Sequence, residues 1–147
     1  MTIYIDADGC PVVDITIKIA NMYNIDCVIY CDTSHFFDRD GAETVTVSKG
    51  ADSVDFAIVN RVHPGDIVVT QDYGLAAMCI VRMAATISQN GLIYDETNID
   101  HLLLRRYAAK KIRLSGGRFN GSAKRTNDQD KAFEYTLMKL LEDKINA

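Results

Sequence analysis

The chain has 147 residues, a length that suits one domain with its own hydrophobic core. Hydrophobic residues make up 48% and charged residues 24%, which are usual proportions for a globular protein in water. No stretch is apolar over the length of a membrane helix, and the N-terminus lacks the basic and apolar regions of a signal peptide. We therefore expect a single cytoplasmic domain over residues 1–147, with no membrane partner.

The net charge of −4 conceals two regions of opposite sign. Residues 1–100 contain 5 Lys and Arg against 15 Asp and Glu, a net charge of −10, whereas residues 101–147 contain 11 against 5, a net charge of +6. An acidic part that holds cations beside a basic part that meets phosphates would produce this asymmetry. The alternative is that the basic residues only form the solvated faces of helices.

Strands and helices alternate along the chain. Short apolar runs bounded by turn residues predict strands at 2–5, 26–31, 43–47 and 66–70, with two shorter candidates at 85–88 and 92–94. Apolar residues at helical spacing predict one helix after Pro11 and others at about 52–62, 71–83, 98–113 and 128–145. The stripes expected to be buried in the last two helices are Leu102, Leu103, Tyr107 and Ala108, and then Phe133, Leu137, Leu140, Leu141 and Ile145. The alternation favours an α/β fold with a mainly parallel sheet.

Acidic residues follow two of the predicted strands. Asp6 and Asp8 come after the first strand, and Asp72 comes after the fourth. Because the carboxyl ends of parallel strands meet at the edge of the sheet where α/β proteins bind ligands, we expect these side chains to lie close together. Asp52 and Asp55 share one face at the start of a helix, and they join the cluster if that helix begins at the same edge.

Most of these residues also have a purely structural interpretation. Asp52 and Asp72 are good helix N-caps, and Asp55 stands where a capping box would place it. Asp6 and Asp8 are harder to explain in this way, because a second carboxylate adds nothing to a cap and like charges repel. Three or four clustered carboxylates would supply hard oxygen ligands for Mg²⁺ or Mn²⁺, which can orient and polarise a phosphodiester.

A polar loop containing glycines is predicted over residues 114–127. Its backbone amides, hydroxyl and cationic side chains could hold a phosphate or a nucleic-acid backbone, and the helix N-terminus that follows favours anions. The candidate contacts are Arg118, Ser122, Lys124 and Arg125. The alternative is a surface loop with scattered charges, in which Asp128 and Asp130 begin the helix or pair with Arg125.

Blocks at 6–12, 50–55, 65–76 and 124–133 resemble, in this order, the bacterial YaiI/YqxD family. The resemblance extends over nearly the whole chain and implies a PIN-like, or NYN-like, domain, which is a three-layer α/β/α sandwich. In related nucleases, clustered aspartates bind Mg²⁺ or Mn²⁺ and cut RNA or flap-type DNA. By that resemblance the acidic positions are Asp6, Asp8, Asp55 and Asp72, with Asp52 as a substitute for Asp55. Gly9 stands where an alanine is expected, and Tyr73-Gly74 replaces an apolar–proline pair, but neither change touches a carboxylate.

These observations lead to three functional hypotheses. The first is a metal-dependent nuclease for RNA or structured nucleic acid, in which carboxylates hold Mg²⁺ or Mn²⁺ and the basic C-terminal third holds the backbone. The second is a haloacid-dehalogenase-type phosphatase with Asp6 as nucleophile and with Thr70 and Lys110 binding phosphate. Against it, Asp128 and Asp130 follow a polar loop, whereas that class places its final acidic pair after an apolar strand. The third is a nucleic-acid-binding or regulatory module that keeps a vestigial metal site.

Overall fold

The fold is that of a computed structural model, which describes residues 1–50, 52–116 and 124–147. Over these residues the elements follow one another as β1 (Thr2–Asp6), α1 (Val13–Met22), β2 (Asp26–Asp32), β3 (Glu43–Val47), α2 (Ser53–Arg61), β4 (Ile67–Val69), α3 (Tyr73–Val81), β5 (Ala85–Ile87), β6 (Ile93–Tyr94), α4 (Ile99–Leu114) and α5 (Asn127–Ile145). Every strand and helix predicted above is therefore confirmed. None of the helices in these ranges combines the length and the apolar composition needed to cross a bilayer.

One sheet holds all six strands, in the order β3-β2-β1-β4-β5-β6. The first five are parallel, and only β6 is antiparallel, paired with β5. The chain therefore starts at the centre of the sheet, builds outward through β2 and β3, and returns to the other side of β1 with β4. That reversal makes the β1–β4 boundary the place where an open α/β sheet forms a ligand crevice.

Helices cover both faces of the sheet. On one face, Ile3, Ile5 and Val69 pack with residues of α1 and with Phe133 and Leu137 of α5. The other face packs against α2 and α3 through a second core, whose buried members include Tyr4, Val28, Tyr30, Ile58, Val68 and Leu75. These two cores confirm the three-layer α/β/α sandwich and the mainly parallel sheet.

The last two helices are less buried than their apolar stripes predict. In α4, Leu102 is buried, but Tyr107 is 56% exposed and Ala108 is exposed as well, because the helix continues past the elements that cover its first turns. In α5, Ile145 is 52% exposed. It lies nearly a turn beyond Glu142, which accepts a hydrogen bond from Tyr23 just after the end of α1. Those parts of the two predicted stripes are wrong.

Replacing Phe133 with alanine tests the packing of α5 on the sheet. Phe133 is fully buried, whereas Tyr135, two residues along the same helix, is 68% exposed. We expect Phe133→Ala to lower the free energy of unfolding by about 3–5 kcal/mol, because it leaves a cavity in the core. Tyr135→Ala should change it by no more than about 0.5 kcal/mol. Urea denaturation measures both values, and equal losses would contradict this placement of α5.

Candidate functional site

All five predicted acidic residues line one cleft of about 600 Å³ at the carboxyl edge of the sheet, beside the β1–β4 boundary. The acidic residues of this cleft are Asp6, Asp8, Asp32, Asp52, Asp55 and Asp72. Thr70 and Arg106 also line it, and Arg106 is the only cation among its described lining residues. The sheet thus brings together carboxylates from positions up to 66 residues apart in the sequence.

Asp6 is the last residue of β1, and a hydrogen bond from the next strand holds it in place. In the β1–β4 register Ile5 pairs with Val69, which puts Thr70 beside Asp6. Thr70 Oγ1 donates to Asp6 Oδ2 at 2.7 Å and accepts from the backbone N–H of Asp72 at 3.0 Å. Burial raises the pKa of Asp6 to about 6, with additional contributions from the negative charges of Asp72 and Asp8, although the Thr70 hydrogen bond acts in the opposite direction.

Asp55 lies in the first turn of α2 and faces the same group of charges. Burial, together with the negative charges of Asp72, Asp6 and Asp52, raises its pKa to about 7, while Arg106 opposes the shift. Asp6 and Asp55 each experience the negative charge of Asp72, so three chain segments contribute to one electrostatic cluster. The sequence predicts that Asp52 and Asp55 join the strand-end cluster only if α2 begins at the same edge of the sheet. The structure meets this condition, and both residues line the cleft.

Asp72 combines a structural contact with a place in the cleft. Its Oδ1 accepts from the backbone N–H groups of Gly74 at 2.8 Å and Leu75 at 3.1 Å, which makes it the N-cap of α3. Arg106 Nη1 lies 3.4 Å from the same oxygen. The structural interpretation of Asp72 is therefore confirmed, and it leaves the second carboxylate oxygen outside the cap.

The predicted N-cap role of Asp52 is wrong. Asp52 precedes Ser53 of α2, but its side chain makes no capping hydrogen bond, and its φ of +64° lies in the left-handed region. This conformation is energetically unfavourable for a residue other than glycine, and such strained positions concentrate at functional sites. Asp52 lines the cleft instead.

A second group, Asp8, Asp32 and His35, adjoins the first, and two of its members were not expected from the sequence. Potential ligand atoms of the three side chains lie within 4.8 Å of one another. Asp8 Oδ2 accepts from the backbone N–H of Asp32 at 3.2 Å. Asp8 Oδ1 is buried and lies 2.9 Å from His35 Nδ1, but it has no hydrogen-bond donor in correct geometry among the described residues. Ser34 donates to Asp32 through its hydroxyl and its backbone N–H, which lowers the pKa of that carboxyl.

The predicted phosphate contacts of the basic loop are placed only in part. Arg118 and Ser122 lie outside the described residues. Lys124 is exposed. Arg125 is engaged within the protein, since its guanidinium donates to the Asp130 carboxylate, the Asn90 side chain and the Gln89 carbonyl, each at 2.7 Å. The pairing of Arg125 with Asp130 corresponds to the structural alternative for this loop, and the phosphate-binding role of the four residues stays a prediction.

The donors around the cleft are the kind that a hard divalent cation uses. Carboxylate oxygens dominate both groups, and Asp8 belongs to the cleft and also to the group with His35. Among the described residues Asp8 Oδ1 has no hydrogen-bond donor in correct geometry, and burying such a carboxylate oxygen is costly unless a cation or a proton satisfies it. The residues present therefore fit Mg²⁺ or Mn²⁺.

The raised pKa of Asp6 makes the stability of the metal-free protein depend on pH. Because the pKa of about 6 in the folded protein exceeds the ordinary value of 3.8 for an aspartate, this group's contribution is fully present below pH 4 and is lost as the pH rises through 6. Asp6→Asn removes the charge and keeps an oxygen that accepts from Thr70. In EDTA we expect this variant to gain about 2–3 kcal/mol over the wild type between pH 4 and pH 8. Urea denaturation at both values measures the gain, and a pH-independent difference would contradict it.

Comparisons with known proteins bear on the whole chain. A family model described as "Uncharacterized BCR, YaiI/YqxD family" matches residues 4–143. A UPF0178 protein of Exiguobacterium sibiricum is 53% identical over 146 residues, which cover 99% of this chain and 100% of the relative. A UPF0178 protein of Ruminiclostridium cellulolyticum is 48% identical over 94% of this chain and 90% of its own length. No solved structure matches the chain. The family model and the two relatives match nearly every residue of the chain. These matches show that the chain belongs to the YaiI/YqxD family.

Proposed function

We propose that the protein is a PIN-like, metal-dependent nuclease that hydrolyses phosphodiesters of RNA or structured nucleic acid. The observation that carries the proposal is the convergence of Asp6, Asp55 and Asp72 in one cleft, where burial and mutual repulsion raise the pKa of Asp6 to about 6 and that of Asp55 to about 7. Folding alone has no use for carboxylates forced together in this way. Such perturbed groups in a cleft are markers of a functional site.

The cofactor in this proposal is Mg²⁺ or Mn²⁺, held by Asp6, Asp8, Asp55 and Asp72, with Asp52 beside them. When bound, the cation supplies Lewis-acid polarisation of the phosphodiester and activation of water. The aspartates would hold it without histidine, although the adjoining Asp32 and His35 offer a further ligand set through Asp8.

Residues of the chain itself would orient the carboxylates, contact the phosphate and hold a proton. Thr70 fixes the carboxylate of Asp6, and the two amides at the start of α3 fix that of Asp72. Arg106, at the edge of the cleft, can exchange its long 3.4 Å contact with Asp72 for the phosphate of a bound strand. Asp55, with a pKa of about 7 in the metal-free cleft, can hold a proton at its carboxyl near neutral pH. The proposed partner is nucleic acid, which the net charge of +6 over residues 101–147 would attract.

The phosphatase hypothesis has less support. It needs Thr70 and Lys110 to bind the phosphate beside Asp6. Thr70 is 2% exposed, and its hydroxyl is already bonded to Asp6 and to the Asp72 amide. Lys110 is exposed on α4 and does not line the cleft. The non-catalytic binding module would use the same residues as the nuclease, and activity measurements separate these two.

Calorimetric titration with Mn²⁺ tests the metal site without requiring activity. We expect Asp6→Asn and Asp72→Asn each to weaken Mn²⁺ binding at least tenfold, because each removes one anionic ligand. Asp26→Asn is the matched control, since Asp26 is exposed at the start of β2, the opposite edge of the sheet. Binding should also release more protons at pH 6 than at pH 8.5, because Asp6 and Asp55 must give up theirs. Unchanged affinity in both cleft variants would refute the metal role.

A nuclease panel tests the reaction. Single-stranded RNA, structured RNA and flap DNA are incubated with the wild type in Mg²⁺, in Mn²⁺ and in EDTA. We expect metal-dependent cleavage of at least one substrate, and a loss of at least about a hundredfold in rate for Asp6→Asn, the order that one missing electrostatic group costs. Asp26→Asn should cleave at the wild-type rate. Metal binding and nucleic-acid binding without cleavage of any substrate would favour the non-catalytic module.

A further inference from the structure

Most of helix α4 stands clear of the rest of the described structure. Its first turn buries Ile99 and Leu102 in a small core with Ala76 of α3 and with Tyr94. From Leu104 onward its side chains are exposed, except for the partly buried Ala109. More than half of this 16-residue helix therefore offers its surface to a ligand or partner.

Toward the C-terminus of α4, cationic residues occupy the face that is buried at the start of the helix. Side chains three or four residues apart lie on one face of a helix. The stripe that starts with Ile99 and Leu102 therefore passes on through Arg106, Lys110 and Arg113, which we call the cationic row. The face that is apolar over the body of the domain becomes basic where the helix leaves it.

The cationic row begins at the cleft. Arg106 lines the cleft and approaches Asp72, whereas Lys110 and Arg113 lie beyond its lining. At 1.5 Å per residue, the row extends over about 10 Å of helix. A nucleic-acid strand in stacked geometry advances about 3.4 Å per nucleotide, so the row spans about three phosphates.

We infer that the cationic row binds the phosphate backbone of the nucleic-acid strand that enters the cleft. The identity of this strand as substrate rests on the proposed function. The carboxylates of the cleft repel phosphates, so a strand that reaches them needs an attractive surface at the rim. Among the described residues, Lys110 and Arg113 form no ion pair, and their charges are available to an anionic ligand.

The charge of α4 also favours nucleic acid over a second copy of the chain as the partner that binds the cationic row. Helix α4 carries five cationic side chains and one acidic one, Asp100. Two copies that packed these helices together would bring the two rows against each other, and like charges at close range repel. A phosphate backbone has the complementary charge along its whole length. The alternative is that an acidic surface of another copy binds the cationic row, and the experiment must detect this.

The test compares two double variants of the same helix. Lys110→Gln with Arg113→Gln neutralises the row beyond the cleft, and Arg105→Gln with Lys111→Gln removes the same charge from exposed positions outside the row. Arg106 is left intact because it contacts Asp72. Binding of a fluorescein-labelled single-stranded RNA is measured by anisotropy in EDTA over a series of salt concentrations, which makes the readout independent of the metal and of cleavage.

A plot of log affinity against log salt concentration has a negative slope, to which each phosphate contact of a single strand contributes about 0.7 in magnitude. We expect the Lys110→Gln, Arg113→Gln variant, called the row variant, to reduce the magnitude of this slope by about 1.4. Its affinity at 0.1 M salt should fall roughly 25-fold if that contribution vanishes near 1 M. The control variant should keep a slope close to that of the wild type. Circular dichroism and thermal melting should match in all three proteins, because the substituted side chains are exposed.

Three outcomes would overturn the inference: equal losses in both variants, an unchanged slope in the row variant, or a change in sedimentation that shows the row mediates contacts between copies. An unchanged slope together with a nuclease that Asp6→Asn inactivates would refute the row and leave the proposed function standing. A row-dependent slope without any metal-dependent cleavage would support the row and refute the nuclease.

Discussion

The parallel pairing of β1 with β4 is the contact on which the site depends. It sets Thr70 beside Asp6 and carries Asp72 to the same edge of the sheet, so that side chains 66 residues apart share one cleft. Strand β4 and the middle of β1 are buried, and their positions are determined by packing on both faces. The rigid sheet thus imposes the proximity that electrostatic repulsion opposes, and this repulsion adds to the larger effect of burial in raising the pKa values of Asp6 and Asp55. A proton or a cation relieves the repulsion.

The sequence was sufficient for the architecture and for the main acidic cluster, because both follow from local rules. Strand ends in a parallel sheet meet at one edge, which places Asp6, Asp8 and Asp72 together. The same rule applies to Asp32, at the end of β2 beside β1, but the predicted strand ends at residue 31 and so leaves Asp32 out. His35 could not be predicted as its neighbour, because its position depends on how the loop after β2 folds back toward Asp8.

Other features depend on contacts that periodicity does not encode. An apolar stripe shows which face of a helix can be buried, but not how far the neighbouring elements extend along it, and so Tyr107 and Ile145 are exposed. Arg125 has the composition of a phosphate contact, yet three of its donors are used by residues of the β5–β6 turn and by Asp130. Asp52 has the identity and spacing of an N-cap, but a left-handed backbone turns it away from that role.

The central position of β1 has a consequence for the order of folding. The strand that carries Asp6 is synthesised before its partner β4, which lies 64 residues later in the register. The hydrogen bond that orients Asp6, and the last carboxylate of the cluster, exist only after that long-range pairing has formed, and such non-local contacts are slow to form. A partly synthesised chain that ends before Asp72 has the first aspartates but no assembled site. Competence to hold a cation is therefore coupled to the pairing of β1 with β4, so the growing chain lacks the assembled cluster until β4 has been made and has joined the sheet.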